Sequence, residues 1–256
     1  MAETIFNSVP KHNYSEQEPE INPEEFRKVI HSRRSVRMFN GTPIPEDIMN
    51  ECLDLALLAP NSSNLQPWEF YWVKSPDKKS ELVKACLSQP AASTAAELIV
   101  CVARSKTWKQ NANKMLDVFA KSNANIPNSV KDYYKKIVPL AYTQGYFSVI
   151  GLIKRLVLFV RGLKEPTPRN PVSNSDMILW ATKSCALAAE NLMLALRAFS
   201  YDSCPMEGFD AYRVEKILDL PSDAHVVMVI GAGKRSPNGI YGPRIRFERN
   251  LFIKEV

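Results

Sequence analysis

The sequence predicts an α+β fold: a small mixed sheet, mainly antiparallel, flanked by helices. Three observations carry this. Apolar runs of strand length fall at 69–73, 97–103 and 224–230, too few for a repeating ladder of parallel strands. Helical periodicities separate them unevenly, in the order helix, helix, strand, helix, strand, irregular stretch, long helix, helix, strand, tail. The 256 residues suit one sizeable core rather than two, and no internal repeat is evident.

Residues 1–21 are polar, contain Pro10 and Pro19 and lack periodicity, which reads as a flexible N-terminal arm. The remainder, 22–256, reads as a single domain. Asn22-Pro23-Glu24-Glu25 is a helix start, with Asn22 as cap, Pro23 in the first turn and Glu25 at capping-box spacing. That helix should turn Phe26, Val29 and Ile30 inward and deliver 33–37 just past its end. A second helix opens at Pro45-Glu46-Asp47, carries Ile48, Cys52, Leu55, Ala56 and Ala59 at helical spacing, and stops at Pro60. The polar run 61–66 therefore falls on a loop. The aromatic-rich segment 69–73 is the first strand, 77–88 a short helix, and 97–103 a nearly all-apolar strand of the kind buried on both faces.

The stretch 104–175 is the least regular and is expected to be a variable insertion or lid. Within it, 146–163 (YFSVIGLIKRLVLFVRGL) is apolar enough to suggest a membrane span. Lys154, Arg155 and Arg161 argue against one, at roughly 2.5–3.5 kcal/mol each near a bilayer centre. At about 100° per residue, Val149, Leu152, Ile153, Leu156, Val157, Val160 and Leu163 share one arc, and Lys154 and Arg161 face away from it. The first reading is an amphipathic helix packed on protein, over or beside the ligand cleft; the second is a helix lying on a membrane surface. Residues 164–171 form a stiff, proline-rich connector. The longest helix runs from 176 to about 199, with Leu179, Lys183, Ala186, Leu187, Glu190 and Leu194 at helical steps. Its small residues, among them Ala181, Ser184 and Ala188, suit either a central core helix or a subunit interface. Residues 204–209 read as a turn, Asp210 as the cap of a helix over 212–220, 244–247 as a short basic strand, and 248–256 as a tail.

A hydrophobic fraction of 45%, a net charge of +6 and a pI near 9.0 describe a globular chain suited to anionic ligands. The basic residues are scattered, with no aromatic-interleaved stripe, so no nucleic-acid partner is expected. Five cysteines without CxxC spacing and only three histidines argue against a disulfide framework, a metal centre or a histidine-based triad. Gly231-Ala232-Gly233 lacks the third glycine and the following helix of a dinucleotide fingerprint, and reads as a strand-end turn. The N-terminus shows no signal-peptide pattern, so a cytoplasmic location is expected.

Chemistry-bearing residues concentrate in two stretches. His31-Ser32-Arg33-Arg34-Ser35-Val36-Arg37 crowds guanidinium and hydroxyl groups together. Such crowding is costly in a core, but arginine forks match phosphate oxygens, so the run suits an anion site. The second, APNSSNLQPW over 59–68, holds a polar run between two prolines. Taken alone, each is also explained by a basic helix end or an ordinary surface turn. Together, SRRSVRMF and APNSSNLQPWEF resemble the N-terminal signature of the FMN-dependent nitroreductase family, an R-R/H-S-x-R/K run followed by a helix and A-P-S-x-x-N-x-Q-P-W. Asn61 stands where that family usually has serine. Pro205-Met206-Glu207-Gly208 matches the family's Pro-x-Glu-Gly turn, and Arg244-Ile245-Arg246 its late Lys/Arg-x-Arg pair.

The resemblance implies a nitroreductase-like, intertwined homodimer with FMN at the subunit interface and NAD(P)H as reductant. It implies Arg33, Arg34, Ser35, Arg244 and Arg246 around the FMN phosphate, and Arg37 facing N1 and O2 of the ring. Pro60, Asn61, Ser62 and Asn64 would reach the ribityl and phosphate side of the FMN held by the other subunit. Pro205, Met206, Glu207 and Gly208 would lay backbone N–H groups beside flavin N5, with Gln89 at the pyrimidine edge. No side chain is expected to act as a nucleophile, because the flavin carries the chemistry. The implied activity is hydride transfer from NAD(P)H through N5 to a nitro compound, quinone or similar conjugated acceptor, by a ping-pong mechanism. The alternative is an FMN-binding protein of the same fold with a sensing, flavin-storage or non-reductase role. The apolar tail residues Leu251, Phe252, Ile253 and Val256 are expected to exchange across the dimer, where burial contributes roughly 25 cal/mol per Å².

Overall fold

Four strands form one sheet in the order β1-β2-β4-β3, every neighbouring pair antiparallel, in a computed structural model that describes residues 15–145 and 149–256. The strands are β1 (Trp68–Trp72), β2 (Glu97–Arg104), β3 (Asp202–Met206) and β4 (Ala224–Gly233). Most of the expected N-terminal arm, and the first residues of the expected helix over 146–163, lie outside the described residues.

β2 sits inside the sheet, and Leu98 through Val102 are fully buried, which is why its sequence is apolar without alternation. Alternate residues serve opposite layers. Ile99, Cys101 and Ile230 pack under α2 (Glu46–Leu57) and α9 (Asn174–Ala198). Leu98, Val100 and Val229 face the layer of α3 (Pro76–Ala85), α4 (Pro90–Ser93) and α10 (Ala211–Ile217). Side-chain caps set several helix starts. Asn22 accepts from the amide of Glu24 at the head of α1 (Pro23–Ser32), Ser173 from Asp176, and Asp210 from Arg213.

The structure corrects several expectations. The mixed character of the sheet reduces to one parallel bridge, between Ser35 and Ser203. The segment read as a turn from residue 204 begins as β3, and only 207–209 turn. Pro205 is tolerated because β3 is an edge strand. Residues 244–247 carry no regular secondary structure and pair with no strand. Phe26 and Ile30 of α1 are exposed rather than turned inward. The irregular stretch is largely helical, with α5 (Trp108–Lys121), α6 (Asn128–Asp132), a wider π-type turn over 133–137, α7 (Val138–Tyr142) and α8 (Val149–Arg161).

α8 is inverted relative to the sequence reading. Its apolar arc faces outward, whereas Lys154 faces the protein and donates to the carbonyls of Ala141, Thr143 and Pro171. Burial holds the Lys154 ammonium below its ordinary pKa. Among the described residues no helix is long and apolar enough to cross a membrane. All five cysteines are buried and unbridged. Burial, aided at Cys52 by Glu51, pushes the Cys52 thiol up to about 12, and burial does the same at Cys185, so both stay protonated.

At the far end of β2, Arg104 bridges β1 and the entry to β4. Its guanidinium donates to both carboxylate oxygens of Asp223, at 3.2 and 3.1 Å, and also to Glu69. Burial alone would raise the Asp223 pKa, but the Arg104 hydrogen bonds and charge, with the Lys106 amide, bring it below the ordinary value of 3.8. The contribution is therefore complete above the unfolded-chain pKa and is lost as pH falls through the lower folded value. Asp223→Asn should remove this component, so that stability in an acid titration of thermal midpoints falls less steeply below the ordinary carboxylate range than in the wild type.

Candidate functional site

The segment after α1 runs beside the β3 edge, and its alternation decides which side chains stay outside. Val36 and Phe39 are buried. The Val36 amide donates to the Ser203 carbonyl at 3.0 Å, and the Arg37 amide to that of Gly239 at 2.7 Å. Phe39 bridges Arg235 beyond the end of β4. Arg33, Arg34, Ser35 and Arg37 are left partly or fully exposed on the other side.

Residues 240–246 fold back over this segment and complete an open basin of ≈360 Å³ lined by Arg33, Arg34, Ser35, Arg37, Arg244 and Arg246. The basin is stitched by guanidinium-to-carbonyl bonds. Arg34 donates to Gly242 at 2.5 Å, and Arg244 to His31 at 3.2 Å and also to Arg33. Among the described residues none of these five arginines is ion-paired to a carboxylate. Arg244 is held below its ordinary pKa, by desolvation first and then by the charges of Arg246, Arg33 and Arg34. Cations crowded this closely without acids define an anion site.

β3 leads from the basin to the Pro205–Gly208 segment. Arg37 lies close enough to Cys204 for its charge to act on that thiol, opposing the rise that burial causes. Pro205 and Met206 end the strand, while Glu207 and Gly208 are exposed beyond it. Gln89 reaches this turn, donating to the Gly208 carbonyl at 2.9 Å and to Cys86 at 3.0 Å. The structure thus brings Gln89, 205–208 and the arginines to the β3 side of the molecule.

The other candidates are elsewhere. Pro60, Asn61, Ser62 and Asn64 lie on the loop entering β1, and β1 and β3 are opposite edges of the sheet. Three strand spacings, roughly 14 Å, separate those edges, so one chain does not join the loop to the basin. The loop is strained: Ser63, Asn64 and Gln66 have φ of 60°, 47° and 46°. For residues other than glycine this conformation costs about 1–2 kcal/mol each. Asn61 folds it from within, its Oδ1 accepting from the Gln66 amide at 2.8 Å.

Within its own chain the loop is held by three tyrosines from 133–142. The hydroxyl pairs Ser63–Tyr133 and Ser62–Tyr142 lie 2.6 and 3.0 Å apart, and Tyr134 donates to the Ser63 carbonyl at 2.9 Å. Asn111 donates to the Leu65 carbonyl at 2.8 Å. The sequence signal for these residues is only that three tyrosines, 133, 134 and 142, fall within ten positions, and a tyrosine that fills a core gives the same signal. Tyr133→Phe and Tyr142→Phe should each cost about 1 kcal/mol of stability, and hydrogen exchange of amides 62–66 should accelerate. Unchanged urea midpoints and exchange in both variants would show that the clamp is idle.

Comparison with known proteins follows this geometry. Residues 30–234 match the model of the Nitroreductase family. A 4-nitrobenzoate reductase from Pseudomonas putida is 36% identical over 219 residues, covering 84% of this chain and 87% of that protein. An NADH dehydrogenase from Thermus thermophilus is 26% identical over 217 residues, covering 85% and 90%. Among solved structures, a nitroreductase-type protein from Exiguobacterium sibiricum in complex with FMN superimposes with a TM-score of 0.68 at 24% identity, over 90% of this chain and 97% of that one. A matching segment that runs from the end of α1 to the end of β4, and so carries the whole sheet, places this chain in the nitroreductase family.

Proposed function

We propose that the chain is an NAD(P)H-dependent oxidoreductase that binds FMN between two subunits and reduces a nitro compound, quinone or similar conjugated acceptor in a ping-pong cycle. The observation that carries this reading is the carboxylate-free arginine basin beside β3 in a nitroreductase-family chain. The names of its relatives, a 4-nitrobenzoate reductase and an NADH dehydrogenase, point to the same reductant and acceptor classes.

The residues present fit FMN. A dianionic phosphate would relieve the mutual repulsion that, second to desolvation, lowers the Arg244 pKa, and Arg33, Arg34, Ser35, Arg244 and Arg246 would hold it. Arg37, next to β3, would face N1 and O2 and favour negative charge there. The Glu207 and Gly208 amides, exposed at the strand end, would serve N5, and Gln89 would bridge their turn to the pyrimidine edge. When bound, FMN supplies the hydride-accepting and hydride-donating centre. The chain's own part is to anchor the phosphate, orient the ring and fix donors where charge develops.

The opposite-edge placement of the 60–64 loop and the basin favours a homodimer in which each loop serves the partner's cofactor. Phe26 and Ile30 of α1, Leu179 and Leu187 of α9, and Leu251 and Phe252 of the tail are exposed apolar groups that such an assembly would cover. The tail 248–256 would run across the partner, and the segment 104–175, by clamping the loop, would help shape the acceptor pocket.

Purified protein should be yellow, carry about one FMN per chain and no FAD, and bleach anaerobically with NADH or NADPH. Protein that binds FMN tightly but resists bleaching would favour flavin storage or sensing. Arg34→Ala and Arg246→Ala should each weaken FMN binding by roughly 10- to 150-fold, the loss of one charge-assisted contact; unchanged affinity in both would put the phosphate elsewhere. Truncation after Arg249 should lower dimer stability and FMN affinity together, the two being linked by mass action. Light scattering that finds a full-length monomer retaining FMN would overturn the shared-site arrangement.

A further inference from the structure

α8 is fastened to the rest of the chain by polar contacts and turns its apolar side away. Lys154 bonds three carbonyls, the first, Ala141, at 2.7 Å. Arg169 donates to the carbonyls of Leu158 and Gly162 at 3.0 and 3.1 Å. Gly151 sits so close to Val172 that a Cβ would lie 2.0 Å from its carbonyl oxygen. These contacts fix which side faces inward. Val149, Leu152, Ile153, Leu156, Val157 and Val160 form the outward side, each more than half exposed. At about 100° per residue, the outward arc covers roughly half the circumference.

Charge is distributed around that arc in a definite way. Arg155 stands at one border and Arg161 at the other, and Lys164 follows the helix end. The acid nearby in sequence, Glu165, is paired with Arg161 at 2.5 Å, and among the described residues Arg155 and Lys164 form no ion pair. A cavity of ≈680 Å³ runs along the Arg155 flank, lined by Arg155 and Arg169, by Leu152 and Phe159, and by one acid, Asp176, whose carboxylate accepts from the Val172 amide at 2.8 Å. A helix of 13 residues is about 20 Å long, shorter than a hydrocarbon core of about 30 Å. It is long enough to lie along a surface and too short to cross.

We propose that α8 docks in the headgroup region of an anionic bilayer, with its apolar arc among the acyl chains and Arg155 and Lys164 at the level of the lipid phosphates. An uncharged centre with Arg155 at one border, the Arg161–Glu165 pair at the other and Lys164 past the helix end matches the order of a bilayer interface, in which anionic groups flank the apolar depth. A protein partner would need an apolar trough with acids at its rim, and the Arg155 and Arg169 side of the groove, where two arginines outnumber Asp176, adds a place for a headgroup phosphate. The inference is independent of the flavin reading: it uses only the fold of the 141–176 region.

The test is flotation of the full-length protein with vesicles of phosphatidylcholine alone or mixed with phosphatidylglycerol. The protein should float with the anionic vesicles, weakly or not at all with the neutral ones, and less as salt rises. Leu156→Glu combined with Val160→Glu should reduce the bound fraction at least about tenfold, with the oligomeric state by light scattering unchanged. Because both side chains are exposed, the variant is expected to fold. Failure of the wild type to float with anionic vesicles, or equal flotation of the variant, would overturn the proposal. So would a variant that changes oligomeric state, which would place a second copy of the chain on this face.

Discussion

A single buried carboxylate holds the parts of the basin in register. Asp202, at the first position of β3, accepts from Arg197 at the end of α9 at 2.8 Å and from Arg235 beyond β4 at 2.7 Å. Its side chain is 3% exposed. An acid so placed is stable only while both guanidiniums remain, and losing one partner of a buried pair costs about 3–5 kcal/mol. The contact joins the end of α9 and the start of β3 to a segment 33 residues further on, beyond β4. It also sets the neighbouring backbone: Ser203 takes the Val36 amide, and Phe39 pairs beside Arg235. The 33–37 run is therefore located by an ion cluster outside the run itself. Asp202, being engaged by Arg197 and Arg235, does not neutralise the basin, and the basin arginines keep their charge available.

The parts of this architecture legible in sequence are those that burial dictates. β2 announces itself because both of its faces are covered, α9 because it carries small residues against the sheet, and α2 because its apolar residues recur at helical steps. β3 was hidden because Pro205 and the short edge position remove the usual strand signs. The late Arg244–Phe247 segment looked like a strand because of its alternation, yet nothing pairs with it. In the site, the arginines were recognisable because five cations without acids are chemically unusual. The tyrosines at 133, 134 and 142 were not, because a hydroxyl that clamps a loop and a ring that fills a core use the same residue.

Periodicity identifies an apolar face without saying what covers it. α1 and α8 both have such faces, and in both the expectation that the face points inward fails. In α1 only Val29 of the three expected residues is half-buried, while Phe26 and Ile30 stay exposed. For α8 the reason is Lys154. An ammonium at that position can be satisfied by the carbonyls that end α7 and precede α9, and once it is, the helix has one orientation only. Three hydrogen bonds to a cation outweigh an undirected preference for apolar contact. The polar residue thus sets the rotation of the helix, and its apolar residues take the remaining side.

The strained 61–66 loop follows the same logic at the opposite edge of the sheet. Left-handed Ser63, Asn64 and Gln66 would relax without outside support. Support comes from the Asn61 side chain within the loop and from the tyrosine hydroxyls of a segment some seventy residues later. The helical segment 104–175 is in this sense part of the site's frame as well as an addition to the fold: it holds open a polar loop that its own chain leaves pointing away from its own arginines. A loop kept in an unfavourable conformation, at a fixed place, is preorganised, and on the proposed two-subunit reading the ligand that would use it is the one held by the partner's basin. Two copies related so that each loop meets the other's basin would use that preorganisation twice. A single copy would bear the strain without using it.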